Sequence, residues 1–152
     1  MIGAGVTPLD HAILSGSYPP ANAPLILGNE GAGEIVAGGD ADFPQGSHVI
    51  FTGPYGVLEN GTYCEFVSVR KQNLCLVPEN ILPVEAAGLP AAYATAYLAL
   101  RAAGFEAGKT VLAPAIGGSV GNAVTQVARA LGAKHAISST TSHEKAGQAM
   151  AM

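Results

Sequence analysis

The chain has 152 residues, of which 49% are hydrophobic and 12% charged, with a formal net charge of −4. That balance suits a well-buried globular protein and excludes a nucleic-acid binder, since no cluster of Lys or Arg is there to neutralise phosphates. No apolar run approaches the roughly 20 residues needed to span a bilayer, and MIGAGVTPLD lacks the basic and apolar regions of a secretory signal.

In chain order, residues 1–30 read as loop, broken by Pro8, Pro19-Pro20 and Pro24. One helical turn is predicted at Leu9, Ala12 and Ile13, with Thr7 as cap and Pro8 in the first turn. Strands are predicted over Gly31–Val36 and from Gly46 to Phe51. Gly61–Val69 reads as the strongest strand of this half, because Tyr63, Glu65, Val67 and Val69 alternate with Cys64, Phe66 and Ser68. Leu74–Val77 follows, closed by Pro78. Short strands at this spacing indicate a β-rich, barrel-like half. Cys64 and Cys75 read as buried, reduced thiols of a cytoplasmic protein, with a disulfide between them as the alternative. The character changes near Leu82–Glu85. From Glu85 to Ala103 the chain is alanine-rich and helical, and Pro90 divides it into a short helix and a longer one over Ala91–Ala102.

Lys109–Thr141 is a βαβ unit. Thr110–Ala113 is a short apolar strand, followed by the cluster Gly117-Gly118-Ser119-Val120-Gly121. Val120, Val124, Val127 and Leu131 then fall on one helical stripe, Gly132 stands at the C-cap position, and His135–Ser138 forms a second strand. Glycines let a pyrophosphate approach the backbone, and the free N–H groups of the following helix attract it. The slots of G-x-G-x-x-G fall on Ile116, Gly118 and Gly121, so the first is not glycine. The residues alone leave two readings, a dinucleotide-binding turn and a tight βα turn with no ligand. A further helix begins at Ser142-His143-Glu144-Lys145, with Ser142 as cap.

Six blocks in order, GVTPLDHAILSGSYPP, LILGNEGAGEIVAGGD, GSHVIF, GTYCEFVSV, LPAAYATAYLAL and the βαβ unit, resemble medium-chain dehydrogenases/reductases. The resemblance is strongest to the zinc-free, zeta-crystallin-like quinone oxidoreductases. It implies a GroES-like β-rich catalytic domain over residues 1–84, then the first part of a Rossmann NADPH-binding parallel sheet over residues 85–152. It also implies hydride transfer from NADPH to a quinone or conjugated enone, a small-molecule carbonyl substrate, no membrane or nucleic-acid partner, and a homodimer as the common assembly. Such relatives run to about twice this length, so the chain is expected to be partial. A non-catalytic, crystallin-like NADPH-binding relative is the alternative, favoured by Ile116 in the glycine turn and by the short length.

The zinc ligands of the related zinc branch would fall on Thr7 or Pro8, on Asn29, and on Pro90 or Ala91, and His11, His48, His135 and His143 are scattered. No metal is expected. Thr95 matches a family threonine near the nicotinamide, with a bond back to its own helix as the alternative. Thr7 stands where many relatives carry an asparagine at the cofactor's nicotinamide end, a replacement that weakens that contact. Tyr18 and Tyr55 are candidate substrate-side aromatics, with turn packing as the other reading. Ser139 and Thr140 at the end of the second strand, and Lys145 after them, suit the 2′-phosphate of NADPH, which an acidic residue would repel; a polar loop with a solvated lysine is the alternative.

Overall fold

The computed structural model describes residues 1–151. The chain is mixed α/β and divides into two compact units, Met1–Ala91 and Ala92–Met152.

The first unit holds a four-stranded antiparallel sheet in the order β1 (Gly3–Ala4), β2 (Glu30–Glu34), β3 (His48–Thr52), β4 (Leu74–Leu76). β2 and β3 pair from Glu30↔Thr52 to Glu34↔His48. Alternation on β3 buries Val49 and Phe51 and leaves His48 exposed. The predicted barrel is here an open sheet, because β1 and β4 do not pair with each other. β1 lies in a stretch that reads as loop, since two residues are too few for a periodic signal. Helix α1 (Pro8–Leu14) starts as expected with Pro8 in its first turn and Thr7 extended before it. Helix α2 (Pro83–Ala86) packs on the sheet through the buried Ala86, with Ala87 just beyond it.

The strongest predicted strand, Gly61–Val69, is not a strand. Its first N–H groups donate to Ile26, Leu27 and Gly28 carbonyls, but among the described residues the backbone N–H groups of Phe66–Val69 find no partner. Alternation reports which side chains could face a core; without a neighbouring strand it cannot make a ladder. Phe66 is accordingly 74% exposed rather than packed. The cysteines are unpaired, but Cys75 is exposed and Cys64 only half-buried, so the expectation of buried thiols does not hold.

Helix α3 (Pro90–Ala102) starts in the first unit and continues into the second. The second unit contains strands β5 (Thr110–Pro114) and β6 (His135–Ser139), paired in parallel, with helix α4 (Ser119–Ala130) between them and α5 (His143–Ala151) after them. α4 ends as the sequence indicates. Gly132 takes φ +85°, its N–H donates to Arg129 O, and the Ala133 N–H donates to Ala128 O, the paired bonds of a Schellman motif. Ser142 caps α5, its Oγ accepting the Lys145 N–H at 3.3 Å. The α4 stripe is shifted from expectation. Ala123, Thr125 and Ala128 are the buried positions, Val124 and Val127 are half-buried, and Val120 and Leu131 are exposed. The cluster beneath is built from Ala92, Ala96 and Ala123, small residues that let α3 and α4 approach closely.

Candidate functional site

The turn from β5 into α4 starts from a strained residue. Ala115 has φ +65°, in the left-handed region where a side chain costs free energy. The Ile116 N–H donates to Ser139 O at 3.0 Å, and the Gly118 N–H donates to Ala115 O at 2.9 Å. These two bonds lock the turn against the end of β6. Gly118 is the N-cap of α4 and offers no side-chain cap. Among the described residues, the N–H groups of Gly117, Ser119, Val120 and Gly121 have no partner, and the first intrahelical donor is Asn122 to Gly118 O. Four free amides at the positive end of a twelve-residue helix make an anion-attracting concavity.

The glycines there do different work. A Cβ on Gly121 would collide with the carbonyl oxygens of Pro114 and Ala115, so this residue sets how closely helix and strand approach. A Cβ on Gly118 would meet only Ala115 O at 3.4 Å, leaving that side open. A Cβ on Gly117 would stand 2.6 Å from Lys145 Cδ and 3.3 Å from its Nζ. The Lys145 ammonium therefore lies beside the glycine turn. This is the one placement that neither the motif nor the strand–helix pattern could supply.

The other predicted residues are distributed as follows. Ser139 is exposed at the end of β6, and its carbonyl is the one taken by Ile116. Thr140 is half-buried, with Oγ1 accepting the Ser142 N–H at 3.2 Å. Thr95 is exposed on α3, and among the described residues its hydroxyl bonds nothing, whereas Thr125 does bond back to its helix at Gly121 O. In the first unit Thr7 is half-buried and donates both its N–H and its hydroxyl to Asp10 Oδ2, at 2.8 and 2.7 Å. Tyr18 is half-buried in the turn after α1. Tyr55 does not fit a substrate-side role. It is 1% exposed, stands edge-on to Phe51 at 5.8 Å, and its hydroxyl accepts the Arg70 N–H and the Asn73 amide at 2.9 and 3.2 Å. The packing alternative is the one realised, because a buried phenol must spend its hydroxyl on internal partners.

A buried acid pair, Asp10 and Glu30, is absent from the residues that the sequence singles out. Asp10 satisfies three donors, the two from Thr7 and the Gly28 N–H at 3.0 Å. Glu30 Oε2 accepts the Ala91 N–H at 2.7 Å. Burial pushes the Glu30 carboxyl above its ordinary range; the Ala91 N–H opposes this and the Asp10 charge adds to it. Burial likewise raises the Tyr63 phenol, helped by the same two acids. Signals for the pair existed: Thr7-Pro8-Leu9-Asp10 has capping-box spacing, and Glu30 is an acid in a glycine-rich strand. Next to Glu30, the buried Asn29 Oδ1 has no partner among the described residues. A hollow of about 770 Å³ in the first unit, lined by Phe43, Phe51, Phe66 and Val49 among others, contains none of the predicted site residues. Among the described residues no group of three or more His, Cys, Asp or Glu could hold a metal ion, and no helix is long and apolar enough to cross a membrane.

Residues 1–96 match the family described as Alcohol dehydrogenase GroES-like domain. The NADPH-dependent alkenal/one oxidoreductase, chloroplastic, of Arabidopsis thaliana is 32% identical over 153 residues, covering 95% of this chain and 40% of the relative. The crystal structure of an alcohol dehydrogenase superfamily protein from Novosphingobium aromaticivorans superposes with a TM-score of 0.85 at 32% identity, covering 95% of this chain and 46% of that one. The quinone oxidoreductase from Thermus thermophilus, solved also in complex with NADPH, superposes with a TM-score of 0.74 at 34% identity, covering 93% and 43%. The chain thus spans about two fifths of the length of the curated relative.

Proposed function

Since the chain belongs to the alcohol dehydrogenase GroES-like family of medium-chain dehydrogenases/reductases, we propose that it binds NADPH and serves a zinc-independent reductase of quinones or conjugated enones. The observation that carries this reading is the turn after β5. Four amides without a partner among the described residues, at Gly117, Ser119, Val120 and Gly121, surround a backbone that glycines keep open, and the Lys145 ammonium lies alongside. Those amides fit a diphosphate, which takes several N–H donors at a helix N-terminus.

The chain's own residues divide the remaining work. Lys145, with the hydroxyl of Thr140 and the exposed Ser139, faces the 2′-phosphate and selects NADPH over NADH. Thr95 keeps an uncommitted hydroxyl for the nicotinamide carboxamide. Thr7, whose hydroxyl proton goes to Asp10, is left as an acceptor at the nicotinamide end. Tyr18 remains the substrate-side aromatic. The β-rich residues 1–84 form the substrate side and residues 85–152 the first part of the cofactor domain. The nicotinamide, when bound, supplies the hydride, and the protein contributes orientation and exclusion of water. Two relatives support this assignment by what they are called: an NADPH-dependent alkenal/one oxidoreductase and a quinone oxidoreductase crystallised with NADPH.

A second reading is a relative that binds NADPH without turnover, which Ile116 in the first glycine slot favours. Titration of the full chain with NADPH and NADH, read by cofactor fluorescence, tests the first step; absence of saturable NADPH binding sinks both readings. Oxidation of NADPH by a simple quinone separates them. Tight binding with no oxidation leaves the non-catalytic one.

A further inference from the structure

We propose that Glu30 is a positioning residue whose buried carboxylate caps the N-terminus of α3 and thereby fixes the helix that carries Thr95. The helix has no cap of its own. It begins at Pro90, which has no N–H, and Ala87-Gly88-Leu89 before it contain no side-chain acceptor. The Ala91 N–H is taken instead by Glu30 Oε2, sixty-one residues earlier in the chain, at 2.7 Å. A carboxylate at this end of a helix is also favoured by the macrodipole.

The carboxylate is held firmly in place. Glu30 is 3% exposed, and its carbonyl accepts the Thr62 hydroxyl at 2.9 Å and the Gly5 N–H at 3.2 Å. Gly5 has no room for a Cβ because the Glu30 side chain fills that space. The ionisable groups facing Glu30 are Asp10 from α1 and Tyr63 from the segment after β3. Glu85 on α2 is exposed, and no cation pairs with Glu30 among the described residues. Burial and Asp10 both raise its carboxyl, so the charged cap is retained against a cost. Thr95 lies four residues after Ala91, on the same face of the helix. The functional half of the proposal rests on the reading of Thr95 given above; the capping half does not.

The test uses the full chain, with NADP⁺ as the probe and hydrogen exchange at the Ala91 amide as an independent readout. In Glu30→Leu, Ala91 exchange should quicken about tenfold and the NADP⁺ dissociation constant should rise about fivefold. Glu30→Gln keeps a neutral carbonyl acceptor at the same reach, so protection of Ala91 and most of the affinity should return. In the wild type, affinity should fall to the Glu30→Gln level as pH is lowered through the raised Glu30 titration. Glu30→Gln should lack that step, while the cofactor's own phosphate titrates equally in both and cancels. Superimposable pH profiles, or unchanged affinity in Glu30→Leu, would overturn the positioning role. Unchanged exchange at Ala91 would overturn the cap. Failure of the wild type to bind NADP⁺ overturns the functional half together with the cofactor reading. If Glu30→Leu does not fold, the Glu30→Gln profile decides alone.

Discussion

The two units treat polar groups in opposite ways. In the first, the buried polar groups other than Asn29 Oδ1 are matched: Asp10 with Thr7 and Gly28, Glu30 with Ala91, Thr62 with the Glu30 carbonyl, Tyr55 with Arg70 and Asn73. In the second, the buried side chains are mostly alanines, and the polar groups that matter are the unmatched amides after β5. Leu112 and its strand partner Ile137 stand exposed on one face of the two-stranded sheet, at 70% and 49%. A satisfied polar core gives rigidity and little to bind, whereas an unsatisfied helix end gives an anion something to complete. On the function proposed above, the second unit is the receiver of the cofactor phosphates and the matched core of the first is its scaffold.

The largest effect should come from attacking the scaffold. Tyr55→Ala removes a fully buried ring and leaves the Arg70 N–H without its partner, and should cost about 3–5 kcal/mol in denaturant unfolding. A loss below about 1 kcal/mol would show that the first unit does not depend on its polar core. Next, Gly121→Ala forces a methyl against the carbonyls of Pro114 and Ala115 and should cost about 1–3 kcal/mol. Gly118→Ala, with its side open, should cost no more than about 1 kcal/mol, and equal losses at the two glycines would erase the distinction. Lys145→Ala probes the receiver without touching its fold. NADPH affinity should fall about tenfold while NADH affinity and Tm stay unchanged, and parallel losses for both cofactors would remove the 2′-phosphate role.

The acids sharpen the comparison by pH. Because the folded-state Glu30 carboxyl titrates above its unfolded value, the native state holds the extra proton in that window. Glu30 ionisation therefore lowers stability as pH rises from about 4.5 through the folded titration point. Glu30→Gln should flatten this part of the stability curve, measured as Tm against pH. The smallest effect is expected at Ala115→Gly, which relieves a left-handed non-glycine and should stabilise by up to about 1 kcal/mol.

The second unit is almost entirely legible in the sequence. Its strands, the α4 helix, the Gly132 stop and the Ser142 cap depend on local rules: periodicity, glycine at positive φ, a hydroxyl at the N-cap. The errors fall mainly in the first unit. Gly61–Val69 has faultless alternation and no ladder, because a strand needs a neighbour whose distance along the chain no local pattern specifies. Tyr55 reads either as a substrate contact or as packing and proves to be core, because a tyrosine's surroundings, unlike a glycine's backbone, cannot be read from its flanking residues. The α4 stripe favours the larger valines, while close approach of α3 selects the alanines.

By itself the sequence determined the order of most strands and helices, the glycine turn and the family to which the chain belongs, since these rest on short-range chemistry and on blocks that survive as text. Tertiary structure alone decided that Lys145 lies beside Gly117 and that Glu30 caps a helix sixty-one residues away. Both contacts join residues distant in sequence, and only the folded path of the backbone sets such distances.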